Sequence, residues 1–140
     1  MSKVAVVYWS GTGNTEAMAE AVADGIREKG GEAVILTAGE FDRSMIEDYD
    51  SIAFGCPSMG DEELEESEFA PMFESCEPDL AGKKIALFGS YGWGDGEWMR
   101  KWEKTCKKAG AVFACDFVIC NDAPDDDAVE KCRGLGKALV

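Results

Sequence analysis

Residues 4–18 read VAVVYWSGTGNTEAM, an apolar run that passes through a turn of glycines and hydroxyl residues into a helix-like pattern. The stretch Val4–Trp9 is short, continuous and rich in β-branched residues, as in a strand covered on both faces. Behind it Met18, Val22 and Ile26 recur every four residues with Ala21 and Gly25 beside them, which predicts an amphipathic helix closed by Gly30 and Gly31. A strand, a glycine-rich turn and a helix start together present unpaired N–H groups and the positive end of a helix dipole, a cradle for an anion. Ser10, Thr12, Asn14 and Thr15 add side-chain donors, with Gly11 and Gly13 between them. The turn holds no lysine, which excludes the triphosphate-hydrolysing loop, and Glu16 stands where a dinucleotide fingerprint needs its third glycine. Two readings remain: a terminal monophosphate held by neutral donors, or a plain tight turn with a hydroxyl cap.

The same switch between apolar runs and helical spacing recurs along the chain. Residues 3–9, 32–38, 51–56, 84–90 and 112–120 predict strands. Trp98, Trp102, Cys106 and Ala109 mark an inward helical stripe, Val129, Cys132, Leu135 and Leu139 another, and Phe69, Met72, Phe73 and Cys76 a shorter one. Residues 42–48 predict a further short helix. Alternation of this kind specifies a doubly wound α/β fold, a parallel sheet with helices on both faces, in a single domain spanning 1–140.

Ligands of open parallel sheets bind beyond the carboxyl ends of the strands. The unusual residues of this chain gather there: SGTGNT (10–15), PSMGDEE (57–63), SYGWGDG (90–96) and NDAPDDD (121–127). Met59 and Trp93, each next to glycine, offer planar apolar surfaces, and with the cradle they imply a flat aromatic ligand carrying a phosphate. The alternative for Trp93 is a partly buried core residue.

Composition narrows the partners. With 28 acidic against 14 basic residues the net charge is −14, which repels nucleic acid and anionic membranes. No basic residue lies between Arg43 and Lys83, where acids crowd from Glu47 to Asp79. That run reads either as a solvated face or as a docking surface for a basic partner. The six cysteines form no Cys-x-x-Cys pair and the chain has no histidine, so zinc and thioredoxin-type motifs are absent. Free, mostly buried thiols and a cytoplasmic location are expected. No run approaches the ~18 apolar residues of a membrane helix.

The motifs SGTGNT, MGDEELEESEF and LFGSYGWGDGEWM, in this order and spacing, resemble the flavodoxins, specifically the short-chain type of anaerobic bacteria, from Lys3 to the C-terminus. The resemblance implies strand order 2-1-3-4-5, bound FMN, no metal, no catalytic residue, and low-potential one-electron transfer between the semiquinone and hydroquinone states. It assigns Ser10, Gly11, Thr12, Gly13, Asn14 and Thr15 to the phosphate, Trp93 to the outer and Met59 to the inner face of the ring. Glu62 would accept from the flavin N3–H. Ser90 and Asn121 would lie near the ribityl chain and ring edge, with Tyr91, Gly92 and Gly94 in the same loop, and the Gly60–Asp61 peptide would flip toward N5. Some relatives carry serine where Pro57 stands, so Ser58 is the candidate replacement donor. Implied partners are redox proteins with basic docking surfaces, such as flavodoxin or ferredoxin reductases and ferredoxin-dependent enzymes, met by a monomer. The rival of the same fold is a small FMN-dependent quinone or NAD(P)H oxidoreductase. A phospho-receiver domain is disfavoured because Gly55 and Cys56, not aspartate, end the third strand.

Overall fold

The computed structural model describes residues 2–140. Strand β1 (Lys3–Tyr8) leads through the glycine turn into helix α1 (Asn14–Glu28), then β2 (Glu32–Thr37), β3 (Ser51–Gly55), α2 (Phe69–Cys76), β4 (Lys84–Tyr91), α3 (Glu97–Lys108), β5 (Val112–Phe113), β6 (Val118–Asn121) and α4 (Asp126–Ala138). The sheet runs β2-β1-β3-β4, with β5 and β6 sharing the place beyond β4, and the pairs are parallel. The expected order 2-1-3-4-5 is observed.

The pleat explains why the central runs lack polar alternation. Val4, Val6, Tyr8, Ala53, Ala86 and Phe88 face α1 and α4, in one cluster with Met18, Val22, Ile26, Cys132 and Leu135. Their neighbours Ala5, Val7, Ile52, Phe54, Ile85 and Leu87 face α2 and α3, against Phe69, Phe73, Trp98 and Trp102. Successive strand residues point to opposite faces, so two covered faces require an apolar residue at each position. Burial of each large side chain contributes about 1.5–3 kcal/mol.

Helix ends follow their chemistry. Gly30 N–H donates to Arg27 O at 3.0 Å and Gly31 N–H to Ile26 O at 2.9 Å, closing α1 where the glycine pair predicts. Asp125 caps α4 by accepting from Ala128 N–H at 2.8 Å. The short helix expected at 42–48 is a 3-10 segment, Arg43–Asp48.

One expectation is corrected. The run 112–120 is not a single strand: β5 pairs with Lys84 and Ile85, β6 with Phe88–Tyr91, and after a last bond from Ala114 N–H to Ile85 O at 2.9 Å the residues Cys115–Phe117 leave the ladder. The Ala-Cys-Asp stretch has weak β propensity, and Asp116 is exposed. The division leaves β6 free to follow β4 to its end, where the site lies.

Candidate functional site

Backbone bonds draw the strand ends together. Trp9 N–H donates to Gly55 O at 3.1 Å, Ser58 N–H to Ser90 O at 3.0 Å and Asp122 N–H to Tyr91 O at 2.8 Å. Asn121 Nδ2 donates to Tyr91 O at 3.3 Å, so the exposed loop after β6 is tied to that after β4. Beneath the first loop the Thr15 and Ser90 hydroxyls bond at 3.0 Å, both buried, joining the start of α1 to β4.

In the first loop Gly13 takes φ 95°, a left-handed conformation that suits glycine, and α1 has no side-chain N-cap bond. Ser10 Oγ accepts from Gly13 N–H at 3.0 Å, and Thr12 Oγ1 makes only a 3.5 Å contact with Asn14 N–H. The N–H groups of Ser10, Gly11, Thr12, Thr15 and Glu16 have no acceptor among the described residues. Ser10, Gly11, Thr12 and Glu16, with the helix dipole behind them, border an open cleft of about 530 Å³ that the carboxylate-bearing Glu68 also lines.

The loop after β3 closes on itself: Met59 and Glu63 exchange two backbone bonds of 2.8 Å across Gly60, Asp61 and Glu62. Met59 stands 38% exposed at one side of the site, and Trp93 is 61% exposed in the loop after β4, whereas Trp98 and Trp102 are at most 3% exposed. Trp93 is therefore not a core residue. Glu62 is buried, and its Oε1 accepts from Glu97 N–H at 3.2 Å at the N-terminus of α3, bracing the Met59 loop against the Trp93 loop. Gly92 is exposed, and Gly94 takes φ 88°, a left-handed conformation that favours glycine, with the Glu62 carboxylate packed against its Cα.

Glu65, counted among the acids of the docking face, is corrected by its burial. Its carboxylate accepts from the N–H groups of Ser67 and Glu68 at 2.8 Å and of Phe69 at 2.9 Å, and from the Ser67 hydroxyl. It thus holds the N-terminus of α2, while its own N–H donates to Cys56 Sγ at 3.4 Å. Burial pushes the carboxyl pKa up, but the Ser67 hydroxyl and the three amides outweigh it and hold Glu65 below the ordinary carboxylate range. A depressed folded pKa contributes stability that is present above the unfolded value and lost as pH falls through the folded one. The Glu65→Gln variant is accordingly expected to be about 1–3 kcal/mol less stable at pH 7. The difference should shrink below roughly pH 4, as read by urea denaturation at both pH values; a constant difference would contradict the charge.

Trp9 belongs to the site although sequence reasoning passes it over as the end of a strand. It lines the cleft at the first loop and a second cleft of about 290 Å³ beside Met59 and Gly60. Its ring explains Gly11, where a Cβ would come within 3.0 Å of the indole. Cys56, under the same loop, is buried; desolvation raises its thiol pKa and keeps it protonated, so it serves as a structural acceptor. All six thiols are free.

Acceptor-free amides at an uncapped helix start, and two exposed apolar side chains on neighbouring loops, fit a monophosphate ester bearing a flat ring. Sequence comparison agrees. The family model described as Flavodoxin matches residues 6–136. A flavodoxin of Clostridium beijerinckii is 45% identical over 135 residues, covering 96% of this chain and 97% of the relative. A flavodoxin of Megasphaera elsdenii is 42% identical over 137 residues, 98% of each chain. The solution structure of two-electron reduced Megasphaera elsdenii flavodoxin superposes with a TM-score of 0.90 at 43% identity, covering 97% of both chains.

Proposed function

The chain belongs to the flavodoxin family, and on that premise we propose that its strand-end loops hold FMN between Met59 and Trp93 for electron exchange with proteins of basic surface. Flavodoxins are FMN-binding electron carriers, and this chain carries FMN in that role. Bound FMN supplies one-electron exchange at its isoalloxazine ring. The rest is the work of the chain.

The free amides of the first loop, with the Ser10 and Thr12 hydroxyls, hold the phosphate, each charge-assisted bond contributing about 1.5–3 kcal/mol. Met59 and Trp93 cover the two ring faces and exclude water. The second oxygen of Glu62 has no partner among the described residues and accepts a ring-edge N–H. Gly60 has φ 54°, open space where a Cβ would stand, and no backbone bond of its own or of Asp61 among the described residues. Its peptide is free to turn and offer either the Gly60 carbonyl or the Asp61 N–H. The exposed carboxylates Asp61, Glu63 and Glu66 oppose added negative charge, which makes the bound ring a strong reductant.

The observation that carries this reading is the uncapped cradle of acceptor-free amides after β1, with Trp93 left exposed in the loop after β4. Protein stripped of flavin should quench FMN fluorescence stoichiometrically; no quenching would overturn the reading. We further propose that the carrier is a cytoplasmic monomer acting as one domain and not as an enzyme. Steady oxidation of NADH by a quinone, without a separate reductase, would overturn that and favour the oxidoreductase.

The docking role makes its own prediction. The Glu63→Gln/Glu66→Gln variant should be reduced roughly three- to tenfold more slowly by a basic partner at low salt, and at a less negative second potential. The rate difference should vanish as added salt shortens the screening length. Stopped-flow rates independent of ionic strength in the unmodified protein would count against an acidic docking face.

A further inference from the structure

Glu16 stands in the first turn of α1, where a dinucleotide-binding turn carries its third glycine for close packing of helix and strand. Its carboxylate is held in place: Oε2 accepts from the Tyr8 hydroxyl at 2.9 Å. Tyr8 itself is buried at the end of β1. Burial, then the bond to Glu16, then the charges of Glu16, Glu20 and Glu40 push the Tyr8 pKa up to about 12, so the hydroxyl keeps its proton and donates.

The cleft bordered by the first loop is lined elsewhere by Tyr8, Trp9, Glu16, Thr37 and Glu68, with no basic residue among them. Neither Glu16 nor Glu68 makes an ion pair among the described residues. Thr37 is bound to a further carboxylate, its N–H and hydroxyl donating to Glu40 Oε1 at 2.9 and 3.0 Å. Free amides and a helix dipole thus share one cleft with an uncompensated anionic rim. A phosphate monoester, with a charge of about −2 at pH 7, needs only the amides. A pyrophosphate diester spreads its charge over two phosphorus atoms. It offers the amides less charge and sets the remainder beside Glu16 and Glu68, and both differences disfavour it.

We propose, resting on the reading of the first loop as the phosphate site of FMN, that Glu16 is a specificity-determining residue positioned by the Tyr8 hydroxyl. It confines the cradle to flavins that end in a phosphate monoester and rejects those extended through a pyrophosphate. The amides alone cannot make this choice, because either ester can accept from them. Glu68 adds charge to the same rim, whereas Glu16 is both charged and fixed beside the amides.

The test titrates the flavin-free protein calorimetrically with FMN and with flavin adenine dinucleotide and takes the ratio of the two dissociation constants. Glu16→Gln keeps the length of the side chain and an acceptor for Tyr8 but removes the charge, and should move the ratio about fivefold toward the dinucleotide. Tyr8→Phe keeps the buried ring and releases Glu16, and should move it about twofold in the same direction. Added salt should narrow the gap between the unmodified and Glu16→Gln ratios. An unmoved ratio in Glu16→Gln would mean that shape and not this carboxylate excludes the longer ester, and would overturn the proposal. An unmoved ratio in Tyr8→Phe would overturn the positioning role. FMN bound with both ratios unmoved sinks the selectivity alone, whereas unmodified protein that takes up neither flavin removes the FMN reading beneath it.

Discussion

Thr12→Glu is expected to weaken FMN binding at least about a hundredfold while leaving riboflavin, which lacks the phosphate, within roughly twofold. Thr12 is exposed and its hydroxyl makes only the 3.5 Å contact with Asn14 N–H, so the fold does not depend on it. A carboxylate at this position meets the phosphate dianion within a few ångströms and also accepts the amides the phosphate would use. The same carboxylate sits favourably at the uncapped start of α1, and the flavin-free protein should lose no stability. Flavin fluorescence titrations with both ligands, beside a thermal melt of the flavin-free form, separate the two effects. Equal losses for FMN and riboflavin would show that the phosphate does not rest in this loop.

The turn that carries Thr12 is legible in the sequence because its geometry is written locally, in a strand, two glycines and hydroxyls before a helix. The central strands were legible for a related reason, since burial on both faces leaves a continuous apolar run. Glu65 was not legible. A carboxylate in an acidic run reads as surface, and only tertiary placement turns its oxygens onto the amides of α2. The break between β5 and β6 is not legible because FACDFVIC is apolar enough for one strand, while pairing with two halves of β4 is a property of register. Trp9 hid at the end of its strand, and the signal that would have found it is Gly11, a glycine whose missing Cβ makes room for an indole.

Gly136→Ala is expected to cost about 2–3 kcal/mol and lower Tm by roughly 5–12 °C, although helix propensity alone predicts a gain of about 1 kcal/mol. The reversal comes from the crossing of α1 and α4. A Cβ on Gly136 would lie 2.1 Å from the Val22 carbonyl oxygen, and one on Gly25 would lie 2.0 Å from that of Arg133. Both obstacles are backbone, which cannot rotate aside as a side-chain tip can. Gly134, in the same helix, has nothing within 4 Å of its Cβ position, and Gly134→Ala should therefore raise stability by about 0.5–1 kcal/mol. Opposite signs two residues apart would show that contact, not propensity, sets the demand for glycine. Forcing the helices apart also moves α1, whose first amides are proposed to hold the phosphate, so FMN affinity should fall in Gly136→Ala and hold in Gly134→Ala. Equal melting temperatures for the two variants would mean that the helices do not approach this closely in solution.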